Sequence, residues 1–202
     1  GTVNSATGAV TLDGTTAGSA TVTASVAADE THQGGSVSYT ITITSSSSNV
    51  DAITYDFIGV SGTNYASKTG LTGSSGAVYS TMTAGGNNAV QMRSNNSNSG
   101  VVVTKTAGLV KKVSVIWNTN TASGRILQVY GKATAYSSPS DLYSSNSQGT
   151  LIGSFTYGSG NAVEMEITDD YAYVGFRSSS GALYMDEIRI MWNSSDSGDG
   201  GD

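Results

Sequence analysis

The side chains that most often carry out catalysis are scarce in this chain. Among 202 residues there is one histidine, His32, and there is no cysteine. Nucleophilic, acid/base and zinc chemistry draw first on these two residue types. His32 lies in a polar loop between two predicted strands, where a catalytic triad would need a serine and an acid arranged around it. The sequence therefore favours a binding or structural protein over an enzyme.

Paired carboxylates are the next route to hydrolysis, because glycosidases use two carboxyl groups across a sugar cleft. Glu164 and Glu166 have a suitable spacing, but they alternate with Val163, Met165 and Ile167 along a predicted strand. Alternation of this kind places both glutamates on one solvated face of a sheet. We therefore predict that the chain is not an enzyme.

Asp186 is the candidate that comes nearest to a metal ligand. Alternation with Tyr184, Ile188 and Ile190 would place it among apolar neighbours, and a buried carboxylate needs a partner. A β-bulge that turns the side chain outward, an ion pair with an arginine, or a structural calcium ion would each satisfy it. We expect the bulge or the ion pair, so no cofactor is predicted.

Two arginines occupy equivalent positions in two similar hairpins. Residues 90–101 and 174–183 both contain an apolar-x-apolar-Arg-Ser pattern, followed by a polar loop that closes with Ser-Gly. The glycine allows a positive φ at the end of each loop. Arg93 and Arg177 could hold sugar hydroxyls or a carboxylate with their forked donors. Alternatively, each caps loop carbonyls or pairs with one of three aspartates, namely Asp56, Asp170 and Asp186.

Tyrosine and amide side chains give a second indication of a ligand. Along the predicted strand at 125–133, Leu127 and Val129 should face the core, whereas the residues between and after them should face out. Tyrosine rings next to amide and ammonium donors bind sugars by stacking and hydrogen bonding, although a protein interface would use the same residues. The candidate ligand-binding residues are Arg93, Gln128, Tyr130, Lys132, Tyr136, Tyr143 and Arg177.

These side chains must be positioned by β-strands, because apolar residues recur at period two and clusters of Gly, Asn and Ser interrupt the pattern. We predict no helix, and strands at 9–12, 19–26, 36–44, 52–58, 78–83, 89–93, 101–106, 110–118, 125–133, 150–157, 162–168, 171–177 and 182–192. Trp117 is expected in the core. One face of the strand at 52–58 carries Ile53, Tyr55 and Phe57, and one face of the last strand carries Tyr184, Ile188, Ile190 and Trp192. These two strands should pair with each other.

The composition limits the partners. Charged residues make up 12% of the chain, and a net charge of -6 gives no electrostatic footprint for nucleic acid or an anionic membrane. No apolar run approaches the ~20 residues of a spanning helix. We therefore predict neither nucleic-acid binding nor membrane insertion, and the Ser/Thr-rich, lysine-poor composition favours an extracellular setting.

A polar run at residues 45–49 separates two predicted domains, 1–46 and 50–193. Residues 1–12, 18–24 and 35–43 resemble the C-terminal half of the bacterial Ig-like domain of group 2. The resemblance implies a partial sandwich that spaces and displays other modules on bacterial and phage surfaces. The early strands of that family have no counterpart here, so the remaining three need a cover. The missing strands are truncated, supplied by another chain, or replaced by packing on the second domain.

The second domain reads as a jelly-roll-type β-sandwich, so the predicted class is all-β. Residues 91–100, 124–132, 139–143 and 175–184 resemble a β-sandwich module that accompanies Ig-like repeats in gut bacterial surface proteins and in phage fibre or decoration proteins. This resemblance implies location and architecture. Residues 194–202 have nothing to bury and read as a flexible acidic linker. The spacing of their aspartates, Asp196, Asp199 and Asp202, does not fit an EF-hand-type calcium loop.

Together these observations favour a non-enzymatic surface display or adhesion segment, on a phage fibre or a bacterial surface protein, whose sandwich binds cell-surface glycans. The alternative is a purely structural or decorating component of a virion or extracellular filament. In that role the chain would contact only neighbouring protein subunits, as a homo-oligomer or within a larger assembly. Both roles place the chain outside the cell, at a bacterial cell surface or a virion surface.

Overall fold

The computed structural model describes residues 2–4, 10–11, 18–43, 49–158 and 162–193. The predicted acidic linker at 194–202, with its three aspartates, lies outside the described residues. The chain divides into two compact units, residues 1–46 and 47–202. Both consist mainly of antiparallel strands, so the predicted all-β class is confirmed. Among the described residues, no helix is long and apolar enough to cross a membrane.

The first unit contains two pairs of antiparallel strands. Strand β1 (Thr2–Val3) pairs with β2 (Val10–Thr11), and β3 (Gly18–Val26) pairs with β4 (Gly35–Ile43). In the β3–β4 hairpin Val22 lies opposite Tyr39, and Ala24 lies opposite Val37, so the apolar side chains share one face. Three large side chains of this face are exposed, namely Val26, Val37 and Tyr39.

The second unit contains eleven strands. They are β5 (Val50–Thr54), β6 (Gly62–Thr72), β7 (Val78–Gly85), β8 (Val90–Met92), β9 (Gly100–Lys105), β10 (Val110–Trp117), β11 (Ile126–Lys132), β12 (Thr150–Thr156), β13 (Ala162–Glu166), β14 (Tyr173–Ser178) and β15 (Leu183–Trp192). One short helix, α1 (Tyr55–Ile58), and two 3-10 turns, Gly86–Asn88 and Pro139–Tyr143, connect them.

The eleven strands fold over as a β-sandwich. One layer has the order β6-β7-β9-β14-β11-β12. The other layer is centred on β15, which has β10 and then β13 on one side, and β5 and β8 on the other. A short pairing of β7 with β8 joins the two layers. Ile53 lies opposite Ile188, so the predicted pairing of the first and last strands is confirmed.

Alternate side chains from both layers fill one hydrophobic core. Leu127 and Val129 of β11 are fully buried, as their alternation predicts, and Val115 and Trp117 of β10 meet them from the other layer. Burial of each aliphatic side chain of this size is worth about 1.5–3 kcal/mol. Because no cysteine is present, this packing and the strand hydrogen bonds hold the sandwich together.

A buried carboxylate links β5, the first strand of the second unit, to β15, its last strand. Asp51 in β5 has no exposed surface. Its side chain accepts hydrogen bonds from the Tyr79 hydroxyl at 2.6 Å, the Trp192 indole N–H at 2.9 Å and the Ser75 backbone N–H at 2.7 Å. Burial alone would raise the pKa of Asp51, but the donors from Ser75, Tyr79 and Trp192 outweigh it and lower the pKa. Asp51 therefore remains ionised inside the sandwich.

The predicted strand at 52–58 is wrong in its second half. Strand β5 ends at Thr54, and the next four residues form α1. The Thr54 hydroxyl accepts the backbone N–H of Phe57 at 3.3 Å, and Gly59 ends the turn with a φ of 57°. Phe57 and Ile58 still pack on the core. The helical turn therefore buries apolar residues of the segment that was predicted to be a strand.

A bulge in β15 changes which face its first residues occupy. Ile116 lies opposite Glu187 and Trp117 lies opposite Met185, so Asp186 has no partner in the register. Asp186 is exposed and accepts a hydrogen bond from the Asn118 amide at 2.7 Å. Of the three interpretations of Asp186 offered from the sequence, the structure confirms the β-bulge.

The same bulge corrects the prediction for Tyr184. Before the bulge Leu183 and Met185 are buried in the core, and after it Ile188 and Ile190 are. Tyr184 therefore lies on the face opposite the core and not with the residues at 188, 190 and 192. Period-two counting fails here because one extra residue shifts the phase of the strand.

Candidate functional site

A second, smaller hydrophobic cluster lies on the outer face of the sandwich, which is the surface of β7, β9, β11 and β14 opposite the core. It consists of Val102, Tyr130, Tyr136 and Leu142. Leu142 belongs to the 3-10 turn Pro139–Tyr143, so the segment at 133–149 packs over the sheet here. The sheet makes room for it with glycine: a Cβ on Gly175 would lie 2.6 Å from Leu142 Cδ2.

The glycines that close the two hairpin loops differ. Gly181 has a φ of 98°, as the sequence pattern predicts. Gly100 is not among the residues with a positive φ, so the prediction is wrong for it. A Cβ on Gly100 would instead lie 2.6 Å from the Phe176 carbonyl oxygen and 3.0 Å from Leu142 Cδ1. Gly100 therefore serves close packing of the chain rather than a turn.

Arg177 fastens the covering segment to the sheet. Its Nε donates to Gln128 Oε1 at 3.0 Å, and its Nη2 donates to the Tyr130 hydroxyl at 2.7 Å. Its Nη1 donates to the Leu142 carbonyl at 2.5 Å. The guanidinium also lies 4.9 Å from the centre of the Tyr130 ring and 5.0 Å from that of Tyr143. Arg177 thus caps a loop carbonyl, which is one of the two structural roles considered from the sequence.

The tyrosines at 130 and 136 are covered, which corrects the expectation of an open aromatic surface. Tyr130 is 4% exposed and Tyr136 is 2% exposed. The Tyr136 hydroxyl donates to the Gln148 carbonyl at 2.8 Å, and Lys132 Nζ lies 4.0 Å from the centre of its ring. Burial raises the pKa of Tyr136. Alternation does place the Tyr130 side chain off the core, but the segment at 133–149, which includes Tyr136, packs over it.

Tyr143 connects this covered region to the loop that carries Arg93. Its hydroxyl donates to the Ser99 carbonyl at 2.7 Å. Ser99 Oγ in turn accepts the Arg93 backbone N–H at 3.2 Å and donates to the Met82 carbonyl at 3.1 Å. Tyr143, Gln128, Lys132, Arg93 and Arg177 remain partly exposed. The seven predicted residues therefore lie on one face, with five of them at the surface.

Arg93 is held differently from Arg177. Its guanidinium lies 3.9 Å from the centre of the Tyr65 ring, and its Nη2 donates to the Asn96 amide oxygen at 2.9 Å. Its Nε is buried and has no hydrogen-bond partner among the described residues. In the described part of the chain neither arginine forms an ion pair, so of the alternatives considered from the sequence the pairing with an aspartate does not occur there.

Sequence reasoning missed the polar side chains that surround Arg93. Gln91 is 7% exposed, and its amide donates to the Tyr184 hydroxyl at 3.4 Å. Burial raises the pKa of Tyr65 to about 12, against the opposing effect of the Arg93 charge. Gln91 lies between two buried apolar residues, Val90 and Met92, and this position could have indicated a functional polar side chain. Alternation assigned Tyr184 to the core face because the sequence does not reveal the bulge in β15. Tyr65 lies on β6, a strand that was not predicted from the sequence.

The side chains considered for catalysis lie elsewhere. Glu164 and Glu166 are exposed on β13 and form ion pairs with Lys112 at 3.5 and 2.7 Å. The hydrogen bond to Glu166 raises the pKa of Lys112. His32 is exposed in the first unit beside Asp29. Among the described residues, no group of three His, Cys, Asp or Glu side chains could hold a metal ion.

A scan against models of known protein families finds no family that matches the chain, and a search of curated proteins finds no similar one.

Proposed function

We propose that the chain is a non-enzymatic display and adhesion segment whose second unit binds glycans through the outer face of its sandwich. The observation that supports this proposal is that polar and aromatic side chains come together on one surface. Seven polar and aromatic residues from separate segments meet on this face, and three of them are cations, namely Arg93, Lys132 and Arg177. No acidic side chain neutralises these cations within the described residues.

The chemistry of this face suits a sugar. Tyr143, Gln128 and Lys132 are partly exposed and bring an aromatic ring, an amide and an ammonium group to this face. Sugars bind protein through ring stacking and many hydrogen bonds to such groups. The hydrogen bonds of Arg177 and Tyr143 hold the face in shape before a ligand arrives. This preorganisation reduces the entropy lost on binding.

The proposed setting is a bacterial cell surface or a virion surface. The first unit resembles the C-terminal half of a bacterial Ig-like domain of group 2, and the second is proposed to be a jelly-roll module. In this arrangement the first unit acts as a spacer, and the second unit presents its outer face to glycans on a bacterial cell. The carrier would be a phage fibre or a bacterial surface protein.

A glycan array probed with the full chain tests the proposal. We expect the chain to bind at least one class of polysaccharide, and the variant Tyr143→Ala to reduce its affinity about tenfold, as loss of a stacked ring that also hydrogen-bonds predicts. The matched control is Tyr39→Ala, because Tyr39 is an exposed tyrosine in the first unit. An array without any bound glycan would contradict the proposal, and so would equal losses for the two variants.

One observation favours a second function, that of a structural component with protein–protein contacts only. The apolar face of the β3–β4 hairpin exposes Val37 to 68% and Tyr39 to 51%. Exposed apolar faces mark protein interfaces. If this function is correct, the glycan array stays blank, and sedimentation shows assemblies that Val37→Asp dissociates.

A further inference from the structure

We infer that Tyr65, Gln91, Arg93, Asn98 and Tyr184 form a subsite that holds an uncharged sugar residue by its hydroxyl groups. We call these five residues the polar subsite. The inference rests on the proposed glycan-binding function and deepens it, because it names the class of ligand and the place where it binds. Only Arg93 was among the residues that the sequence indicated.

The polar subsite lies where β6, β7, β8 and β15 meet on the side opposite the core. Gln91 lies opposite Tyr184 in the register of β8 and β15, and opposite Ala84 of β7. The Arg93 guanidinium packs on the Tyr65 ring at 3.9 Å, and the Gln91 amide donates to the Tyr184 hydroxyl at 3.4 Å. Asn98 lies in the loop between Arg93 and β9. The five side chains thus come from three strands, β6, β8 and β15, and from the loop between β8 and β9.

Several buried polar atoms in the polar subsite form no hydrogen bond within the described residues. Within the described residues, eight buried side-chain atoms have no hydrogen-bond partner. Four of the eight belong to the polar subsite, namely the Tyr65 hydroxyl, Gln91 Oε1, Arg93 Nε and Asn98 Oδ1. Buried polar atoms are normally paired, and an unpaired one lowers stability. Gln91 is more than nine-tenths buried, so solvent does not compensate its amide oxygen. Four such atoms in one part of the sandwich point to a partner that the described residues do not supply.

The types of these atoms select the class of ligand. Arg93 Nε can only donate, Gln91 Oε1 and Asn98 Oδ1 can only accept, and the Tyr65 hydroxyl can do either. A sugar hydroxyl both donates and accepts, so neighbouring hydroxyls of one ring satisfy this mixture. A carboxylate only accepts and would face two unpaired acceptor oxygens. The polar subsite therefore fits a neutral sugar better than an acidic one.

Arg177 provides the contrast within the same molecule. It occupies the equivalent position in the second hairpin, but its Nε, Nη1 and Nη2 all donate to groups of the chain. The chain has thus used one arginine of the repeated pattern for structure. The other retains a buried donor without a partner.

A strained turn borders the polar subsite. Gly86 is in contact with it, because a Cβ at this position would lie 2.4 Å from Gln91 Oε1 and 3.4 Å from Tyr184 Cε1. The next two residues, Asn87 and Asn88, have φ values of 60° and 53° and are exposed. Non-glycine residues in this region of φ are uncommon and concentrate at functional sites.

The test compares neutral and acidic polysaccharides as probes for the full chain. Immobilised galactomannan, xylan and mixed-linkage β-glucan serve as neutral probes, and polygalacturonate and alginate serve as acidic ones. We expect binding to at least one neutral probe, with Tyr65→Phe and Asn98→Ala each weakening it about tenfold, as one lost hydrogen bond in a site of this kind predicts. Asn146→Ala, at an exposed position of the covering segment, should leave affinity unchanged.

Thermal unfolding separates binding from folding. Tyr65→Phe removes a buried hydroxyl for which the described residues supply no hydrogen-bond partner within 3.5 Å, so its Tm should not fall. A neutral glycan that binds Tyr65→Phe and Asn98→Ala as well as the parent chain would overturn the polar subsite while the proposed function stands. Preference for an acidic probe would also overturn it. Failure of every glycan to bind would overturn both.

Discussion

At the scale of single residues, Asp51 shows how the sandwich stabilises a buried charge without a cation. Its carboxylate has no exposed surface and is held by donors from Ser75, Tyr79 and Trp192. Hydrogen bonds to a charged group contribute about 1.5–3 kcal/mol each, and an unmatched donor costs free energy. Asp51 therefore fixes β5, the β6–β7 turn and β15 relative to one another.

The variant Asp51→Asn tests this role. The amide keeps the shape but replaces one acceptor oxygen by a donor, so we expect the free energy of unfolding to fall by about 2–4 kcal/mol. Urea unfolding followed by tryptophan fluorescence measures the change, since Trp192 is one of the donors. Asp186→Asn is the control, because exposed Asp186 contacts only the Asn118 amide. Equal effects of the two substitutions would contradict the assignment.

The pKa of Asp51 also predicts how stability depends on pH. Because its pKa is lower in the folded state than the usual carboxyl value of about 3.9, the stabilisation is fully present above that value. It is lost as the pH falls through the folded-state pKa. The unfolding free energy of the parent chain should thus decline more steeply below about pH 4 than that of Asp51→Asn. Parallel curves for the two chains would count against this carboxylate as a source of acid sensitivity.

Arg177 and Arg93 should respond differently to the same substitution. Lysine cannot reproduce three hydrogen bonds in a fork, so Arg177→Lys should lower the unfolding free energy by about 1–3 kcal/mol. It should also speed hydrogen exchange in the segment at 133–149. Arg93→Lys should change stability by less than about 1 kcal/mol, since the chain engages fewer donors of Arg93. A larger loss for Arg93→Lys would show that the roles are reversed.

At the scale of elements, the covering segment at 133–149 closes the outer face. Its Leu142 sits above two glycines of the sheet, Gly100 and Gly175, and its Tyr136 hydroxyl donates to the Gln148 carbonyl. This packing buries Tyr130 and Tyr136 and leaves Tyr143 at the surface. The segment thus covers the part of the outer face around Tyr130 and Tyr136, and Arg177 fastens it there.

The variant Gly175→Ala tests this element. The new Cβ would lie 2.6 Å from Leu142 Cδ2 and 3.1 Å from Val102 Cγ1, both of which are buried. We expect a loss of about 1–3 kcal/mol in unfolding free energy, because overpacking forces the segment outward. In Gly158→Ala the Cβ meets nothing within 4 Å, and stability should change by less than about 0.5 kcal/mol. Stability of Gly175→Ala equal to that of Gly158→Ala would argue against tight packing of the segment on the sheet.

The elements also show what sequence patterns can predict. Alternation identified β10 and β11 with their buried faces, because one side of each strand is in the core and the other is not. It missed β6, an edge strand of polar and small residues with little burial on either face. It misassigned Tyr55 and Phe57, because a capped helical turn buries residues that also fit a strand.

For the candidate site, local patterns found the residues but not their environment. Alternation placed Gln128, Tyr130 and Lys132 on the face of β11 opposite the core, because alternate residues of a strand point to opposite sides. Whether Tyr130 and Tyr136 are open or covered depends on how the segment at 133–149, which follows β11 and contains Tyr136, packs on the sheet. The bulge at Asp186, which brings Tyr184 to the outer face, depends on the register with β10. Both are non-local features that period two cannot indicate.

At the scale of the whole molecule, the two units differ in how completely they bury their apolar residues. The second unit has a continuous core, whereas the β3–β4 hairpin of the first exposes Val26, Val37 and Tyr39. A two-stranded hairpin is marginally stable by itself. This difference supports a division of roles, in which the second unit recognises a ligand and the first serves spacing or assembly.

The central claim is that a glycan binds the outer face of the second unit, at and beside the polar subsite. Two-dimensional NMR of the 20.5 kDa chain, titrated with an oligosaccharide of a neutral polysaccharide that it retains, tests this claim most directly. We expect the largest shift changes at Tyr65, Gln91, Arg93 and Tyr143, with none in the β3–β4 hairpin. Shift changes confined to the hairpin, or no shift changes with any neutral or acidic glycan, would contradict the claim.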